Sequence, residues 1–148
     1  MLGPAEMSLF SFLFPKKSPS WHAIPTDPKW RRDSRGRFFR LNDVNVDQHQ
    51  LRGCGGVYVL WHGGIRPRWV HVAAADDLAQ ALEAARADPD ISRYDVNGGL
   101  FTTWASVRRD YRAGVVVYLR GLMCPIIQPS PSDRSDEPVE VVPVLMPL

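Results

Sequence analysis

Thirteen prolines govern where regular structure can form in this chain of 148 residues. Proline fixes φ and carries no backbone N–H, so closely spaced prolines forbid long helices and central strands. Pro4, Pro15, Pro19, Pro25 and Pro28 crowd residues 1–36, and Pro129, Pro131, Pro138, Pro143 and Pro147 crowd residues 129–148. Regular structure is thereby directed to residues 37–128, between an N-terminal arm and an extended C-terminal tail. That interval suits one compact domain of about 70–100 residues. Hydrophobic residues make up 45% of the chain, with five Trp, six Phe and four Tyr, enough to pack a core.

The net charge of +2 carries little information, but its distribution does. Lys29, Arg31, Arg32, Arg35, Arg37 and Arg40 are concentrated in one stretch, opposed by Asp33, whereas Asp133, Asp136, Glu137 and Glu140 make the end acidic. Cys54 and Cys124 form no recognisable disulfide or metal framework, and His22, His49, His62 and His71 are scattered without zinc-ligand spacing. No metal or cofactor is expected. The apolar run Leu9-Phe10-Ser11-Phe12-Leu13-Phe14 is too short to span a bilayer. It has no basic segment before it and no small-residue cleavage site after it, so a cytoplasmic location is expected. Lys16 and Lys17 directly behind it fit a weak membrane-surface contact, the alternative to docking on protein. Met7 is an alternative start to Met1.

Between the arms, Val57-Tyr58-Val59-Leu60-Trp61 is a β-branched and aromatic run that predicts a strand. His62-Gly63-Gly64 predicts a turn with positive φ, after which residues 69–72 return as a second strand. Asp76 or Asp77 can cap a helix over residues 77–87, in which Leu78, Leu82 and Ala85 recur at helical spacing and which Pro89 bounds. A third strand is predicted over residues 100–106, and residues 37–41 offer a short edge strand. Gly114-Val115-Val116-Val117-Tyr118-Leu119 is ambiguous: its β-branched residues have strand propensity. Residues 139–142 offer a further strand for a neighbouring sheet edge.

Gly56-Val57-Tyr58, followed by His71-Val72-Ala73 and by the run Asp76-Asp77-Leu78-Ala79-Gln80-Ala81-Leu82, resembles the core of the GIY-YIG endonuclease family. In that family a strand carrying Gly-Ile-Tyr turns into one carrying Tyr-Ile-Gly, and the next helix presents a catalytic arginine. A later helix carries a metal-binding glutamate and runs into a Pro-x-x-Asn ending, matched here by Pro125-Ile126-Ile127-Gln128. The resemblance covers about residues 55–128 and implies an α+β fold with a small antiparallel sheet in the order β-β-α-β-α. It also implies a helix over residues 110–123 in place of the strand that propensity favours. Tyr58 fits the family pattern, but His71 stands at the second tyrosine, Ala81 at the arginine and Tyr118 near the glutamate. Phosphoryl transfer rests on positioning and on neutralising charge, so losing the cation and the carboxylate removes its main terms. His71 as a base and Arg86, one turn beyond Ala81, are the available substitutes, while Glu83 falls on another helix face.

The expected function is a non-catalytic GIY-YIG-like interaction module, an accessory or structural subunit of a larger protein assembly. Phe10, Phe12, Phe14 and Trp21 are the candidate partner-docking residues. The first alternative is nucleic-acid binding by the basic arm, residues 29–40, whose arginines suit phosphate and whose Trp30, Phe38 and Phe39 suit unpaired bases. The second is a residual divalent-metal-dependent DNA endonuclease.

Overall fold

The computed structural model describes residues 24–128 and 138–148. The docking candidates Phe10, Phe12, Phe14 and Trp21 lie outside the described residues. Regular elements run β1 (Phe39–Arg40), β2 (Gly56–His62), β3 (Arg68–Ala75), α1 (Leu78–Ala87), α2 (Pro89–Ser92), β4 (Leu100–Ser106) and α3 (Arg109–Met123). The fold is α+β. Among the described residues the sheet has four strands in the order β1-β4-β2-β3, every neighbouring pair antiparallel.

The element order is β-β-β-α-α-β-α and so departs from the expected β-β-α-β-α. One addition is β1, where Phe39 and Arg40 pair with Thr102 and Phe101 at the edge of β4. The other is α2: the Asp88 side chain accepts from Asp90 N–H, and Pro89 stands where a helix tolerates a missing donor. Pro89 thus starts a new turn as well as bounding α1.

Each helix forms for a local reason. Asp77 accepts from Gln80 N–H at 3.1 Å and caps α1, whose Leu78, Leu82 and Ala85 are buried on one side. In α3 the ambiguous valines divide by helical geometry: Val115, Val116, Leu119 and Met123 are buried while Val117 and Leu122 stay exposed. A strand would alternate these side chains singly, and no sheet position is open to receive them.

The sheet separates two apolar clusters. On one face Tyr58, Leu60 and Trp104 pack with Leu78 and Leu82 of α1, with Leu41 and with Ile91 of α2. On the other, Val57, Val59 and Val72 pack against Val115, Val116 and Leu119 of α3. A bulge between Leu60 and Trp61 shifts the pairing so that Leu60 faces His71 but Trp61 faces Trp69.

Glycine matters at the hairpin end in a way different from the expected one. Positive φ belongs to Gly98 and Gly99, at 84° and 94°, not to Gly63 and Gly64. Gly63 instead lets its turn lie against the other loop: its N–H donates to Gly99 O at 3.0 Å, and a Cβ there would sit 2.7 Å from the Phe101 ring.

The described parts of both arms pack on this core. Thr26 and Val144 form a parallel bridge, Val144 is buried in the α3-side cluster, and Trp30 Nε1 donates to Leu145 O at 2.6 Å. Residues 139–142 do not extend this sheet. Val142 N–H donates to Gly114 O at 3.2 Å, laying the tail across α3, and a Cβ on Gly114 would come within 2.2 Å of Glu140 O. The β3 edge and part of β4 are occupied as well. Arg31 N–H donates to Trp104 O along β4, while Ile126 and Ile127 N–H groups take Trp69 O and Val70 O along β3. Among the described residues no helix is long and apolar enough to cross a membrane.

Candidate functional site

The positions that match the family's reactive groups do not converge. Tyr58 from β2 and His71 from β3 meet edge to face, ring centroids 5.8 Å apart, on the α1 side of the sheet. Ala81 packs against that same cluster from α1. Tyr118 belongs to α3 and is buried in the cluster on the opposite face. The sheet therefore stands between Tyr118 and the other three positions.

What surrounds Tyr58 and His71 is largely apolar, with Tyr58 buried and His71 half-buried. Tyr58 is 7% exposed, and Ile126 and Ile127 pack against the same cluster. Burial lowers the His71 pKa from its ordinary 6.5 to about 4, aided by the Arg120 guanidinium and opposed by the Asp88 carboxylate. Burial likewise raises the Tyr58 phenol, in this case opposed by Arg120. The His71 imidazole is thus neutral near neutral pH, and its Nδ1 is buried with no hydrogen-bond partner among the described residues. Arg120, which sequence reasoning missed, donates through Nε and Nη2 to Val72 O at 3.0 and 2.7 Å, holding α3 to the β3 edge. Its position in the last turn of an amphipathic helix is the signal that was available.

The substitute cation Arg86 is not placed to act there: it donates to Leu41 O at 2.8 Å and to Val44 O, tying α1 to the segment after β1. Glu83 pairs with Arg52 at 2.8 Å on the surface, and Arg52 holds its carboxyl below the usual range. Among the described residues no three His, Cys, Asp or Glu side chains come together as a metal-ligand set. Cys54 and Cys124 are exposed free thiols.

The basic arm has a more specific geometry than its composition implied. Asp33 accepts backbone N–H bonds from Arg35 at 2.8 Å and Arg37 at 2.9 Å and pairs with the Arg37 side chain at 3.8 Å, folding residues 33–37 into a turn. The Arg37 N–H bond chiefly lowers the Asp33 pKa. Arg32 donates to Gly36 O at 3.0 Å and to Leu148 O, and its guanidinium lies 4.0 Å from the Phe38 ring centre. Arg40 lies 5.1 Å from that of Phe101. Lys29, with φ 66°, pairs with Asp27 at 3.9 Å. Arg31 is fixed through its backbone, its O accepting from Thr103 Oγ1 at 2.7 Å. Arg35 is exposed at the turn.

Neither a family model nor a curated protein nor a solved structure matches this chain.

A half-buried neutral histidine leaves a measurable trace. The unfolded chain protonates His71 below about pH 6.5 while the native state resists until about pH 4. Stability from this residue is therefore fully present above that window and falls as pH drops through it, by roughly 3 kcal/mol. His71→Phe, which keeps a ring against Tyr58, is expected to flatten that part of the profile in urea unfolding across the same pH range.

Proposed function

We propose that this protein is a non-catalytic interaction module built on a GIY-YIG-like scaffold. The observation that carries the reading is the environment of Tyr58 and His71. Ala81 packs on the same cluster as that pair, the half-buried imidazole is neutral, and the later-helix residue Tyr118 lies across the sheet. Hydrolysis of a phosphodiester needs a cation on the phosphate and an activated water; the nearby Arg120 guanidinium is instead bonded to Val72 O, and His71, its pKa lowered to about 4, is a weak base for water. The scaffold itself is supported by the two antiparallel strands β2 and β3, the helix after them, the returning strand β4 and the final helix α3.

Purified full-length protein is expected to leave supercoiled, linear and branched DNA intact with magnesium or manganese. Cleavage that is lost in Tyr58→Phe or His71→Ala, and absent from a mock preparation, would overturn the proposal.

The role of accessory subunit in a protein assembly rests on Phe10, Phe12, Phe14 and Trp21, outside the described residues. Within the described surface, the arginines set over aromatic rings favour nucleic acid as the partner.

A further inference from the structure

The register of the sheet places one residue from each strand in a single row: Arg40 of β1 faces Phe101 of β4, Phe101 faces Trp61 of β2, and Trp61 faces Trp69 of β3. At a strand spacing of about 4.8 Å, the row crosses about 14 Å of the sheet. Trp61 and Phe101 lie nearly parallel at 6.1 Å, interplanar angle 20°, and Trp61 meets Trp69 edge to face at 5.6 Å. Phe38, two residues before Arg40, adds its ring to Trp61 at 5.2 Å.

This row lies on the sheet face that α3 covers, with Trp61 and Trp69 partly buried against the α3-side cluster. Val115, Val116 and Leu119 pack over Val57, Val59 and Val72, toward the other end of the strands. The four rings are only half-buried. On one side of Trp61 a cleft of about 730 Å³ is lined by Phe38, Phe101, Arg32, Arg37 and Arg40, and on the other a cleft of about 230 Å³ is lined by Trp69, Pro67 and Arg68. Asp33 and Asp43 also line the larger cleft, but the Asp33 carboxylate is held by the turn it organises.

We propose that the Phe38–Trp61–Trp69–Phe101 face binds unpaired bases of single-stranded nucleic acid, with Arg40 and Arg68 taking the phosphates. This rests on the interaction-module reading, whose partner it names. Flat aromatic side chains on a sheet accept the faces of about two or three bases without requiring a sequence. Guanidinium groups along the rim provide the charge that a phosphate backbone requires. A duplex keeps its bases stacked inside, so the rings select for single strands. An acidic protein segment would match the arginines and leave the rings without a partner.

The test is anisotropy of fluorescently labelled single-stranded DNA and RNA titrated with full-length protein, alongside the same sequence as a duplex, a mononucleotide and polyglutamate. Both single strands are expected to bind and to quench tryptophan fluorescence, with log K falling linearly as log salt rises. Trp69→Ala and Phe101→Ala are each expected to weaken binding about tenfold, as loss of one stacked base does. Arg40→Gln and Arg68→Gln preserve the rings and are expected to reduce the salt slope. Circular dichroism and urea unfolding separate a folded variant from a collapsed one, and the arginine variants carry the test if a ring variant unfolds. Absence of single-strand binding by the wild-type chain overturns the proposal, as does equal affinity for polyglutamate or duplex, or binding by the mononucleotide alone. A dimer that dissociates in Trp69→Ala, without oligonucleotide binding, assigns the face to a second copy of the chain. DNA cleavage in the assay above would sink the non-catalytic reading and leave this binding result unaffected.

Discussion

Leu60→Ala is expected to lower the unfolding free energy by about 2–5 kcal/mol. Leu60 is 0% exposed in the middle of β2, the strand flanked by both β4 and β3, and it sits among the residues that join α1 to the sheet. Deleting its methyl groups leaves a cavity that strands fixed on both sides cannot close by moving. The cost should appear as a lower urea midpoint at unchanged m-value, since the surface exposed on unfolding scarcely changes. A loss below about 1 kcal/mol would mean that the α1-side cluster is loosely packed.

Removal of residues 138–148 is expected to be comparably severe. Val144 is buried in the α3-side cluster, and burial of a valine contributes about 1.5–3 kcal/mol. The segment also supplies acceptors to Thr26 N–H through Pro143 and to Trp30 Nε1 through Leu145, and donors to Thr26 O and Gly114 O. With about 1 kcal/mol for each hydrogen bond, the loss reaches on the order of 5 kcal/mol, a large part of a small domain's stability. Thermal unfolding of the truncated chain measures this directly. A melting temperature equal to that of the intact protein would show the tail to be energetically idle. Any loss of partner binding on truncating this end must therefore be compared with the melting curve before it is assigned to the interface.

The elements of the fold were legible where local chemistry and burial agree. Val57-Tyr58-Val59-Leu60 reads as a strand because β2 is central and buried on both faces, and Asp77 with Leu78 and Leu82 reads as a capped amphipathic helix. Gly114–Leu119 misled propensity because α3 packs β-branched residues against a sheet, where tertiary burial outweighs a few tenths of a kcal/mol per residue. The site was less legible, because it depends on register. Arg40 lies 21 positions before Trp61, and Trp69 and Phe101 lie 8 and 40 after it, and only pairing, with a bulge after Leu60, brings them into one row. Likewise, Arg120 reads as a surface cation until α3 is laid along the β3 edge and its guanidinium meets Val72 O.

The occupied borders of the sheet restrict the manner in which anything can be recognised. A partner that adds itself as an extra strand relies on free backbone groups, and such binding tolerates wide variation in the side chains of both sides. Here Trp69 O, Val70 O and Val72 O are already bonded on one border, and the other ends in the two residues of β1. Attachment along β3 must then pass through side chains, one atom group at a time. Affinity there should thus be open to gradual tuning by single substitutions, while a generic β-forming peptide should gain no foothold on that border.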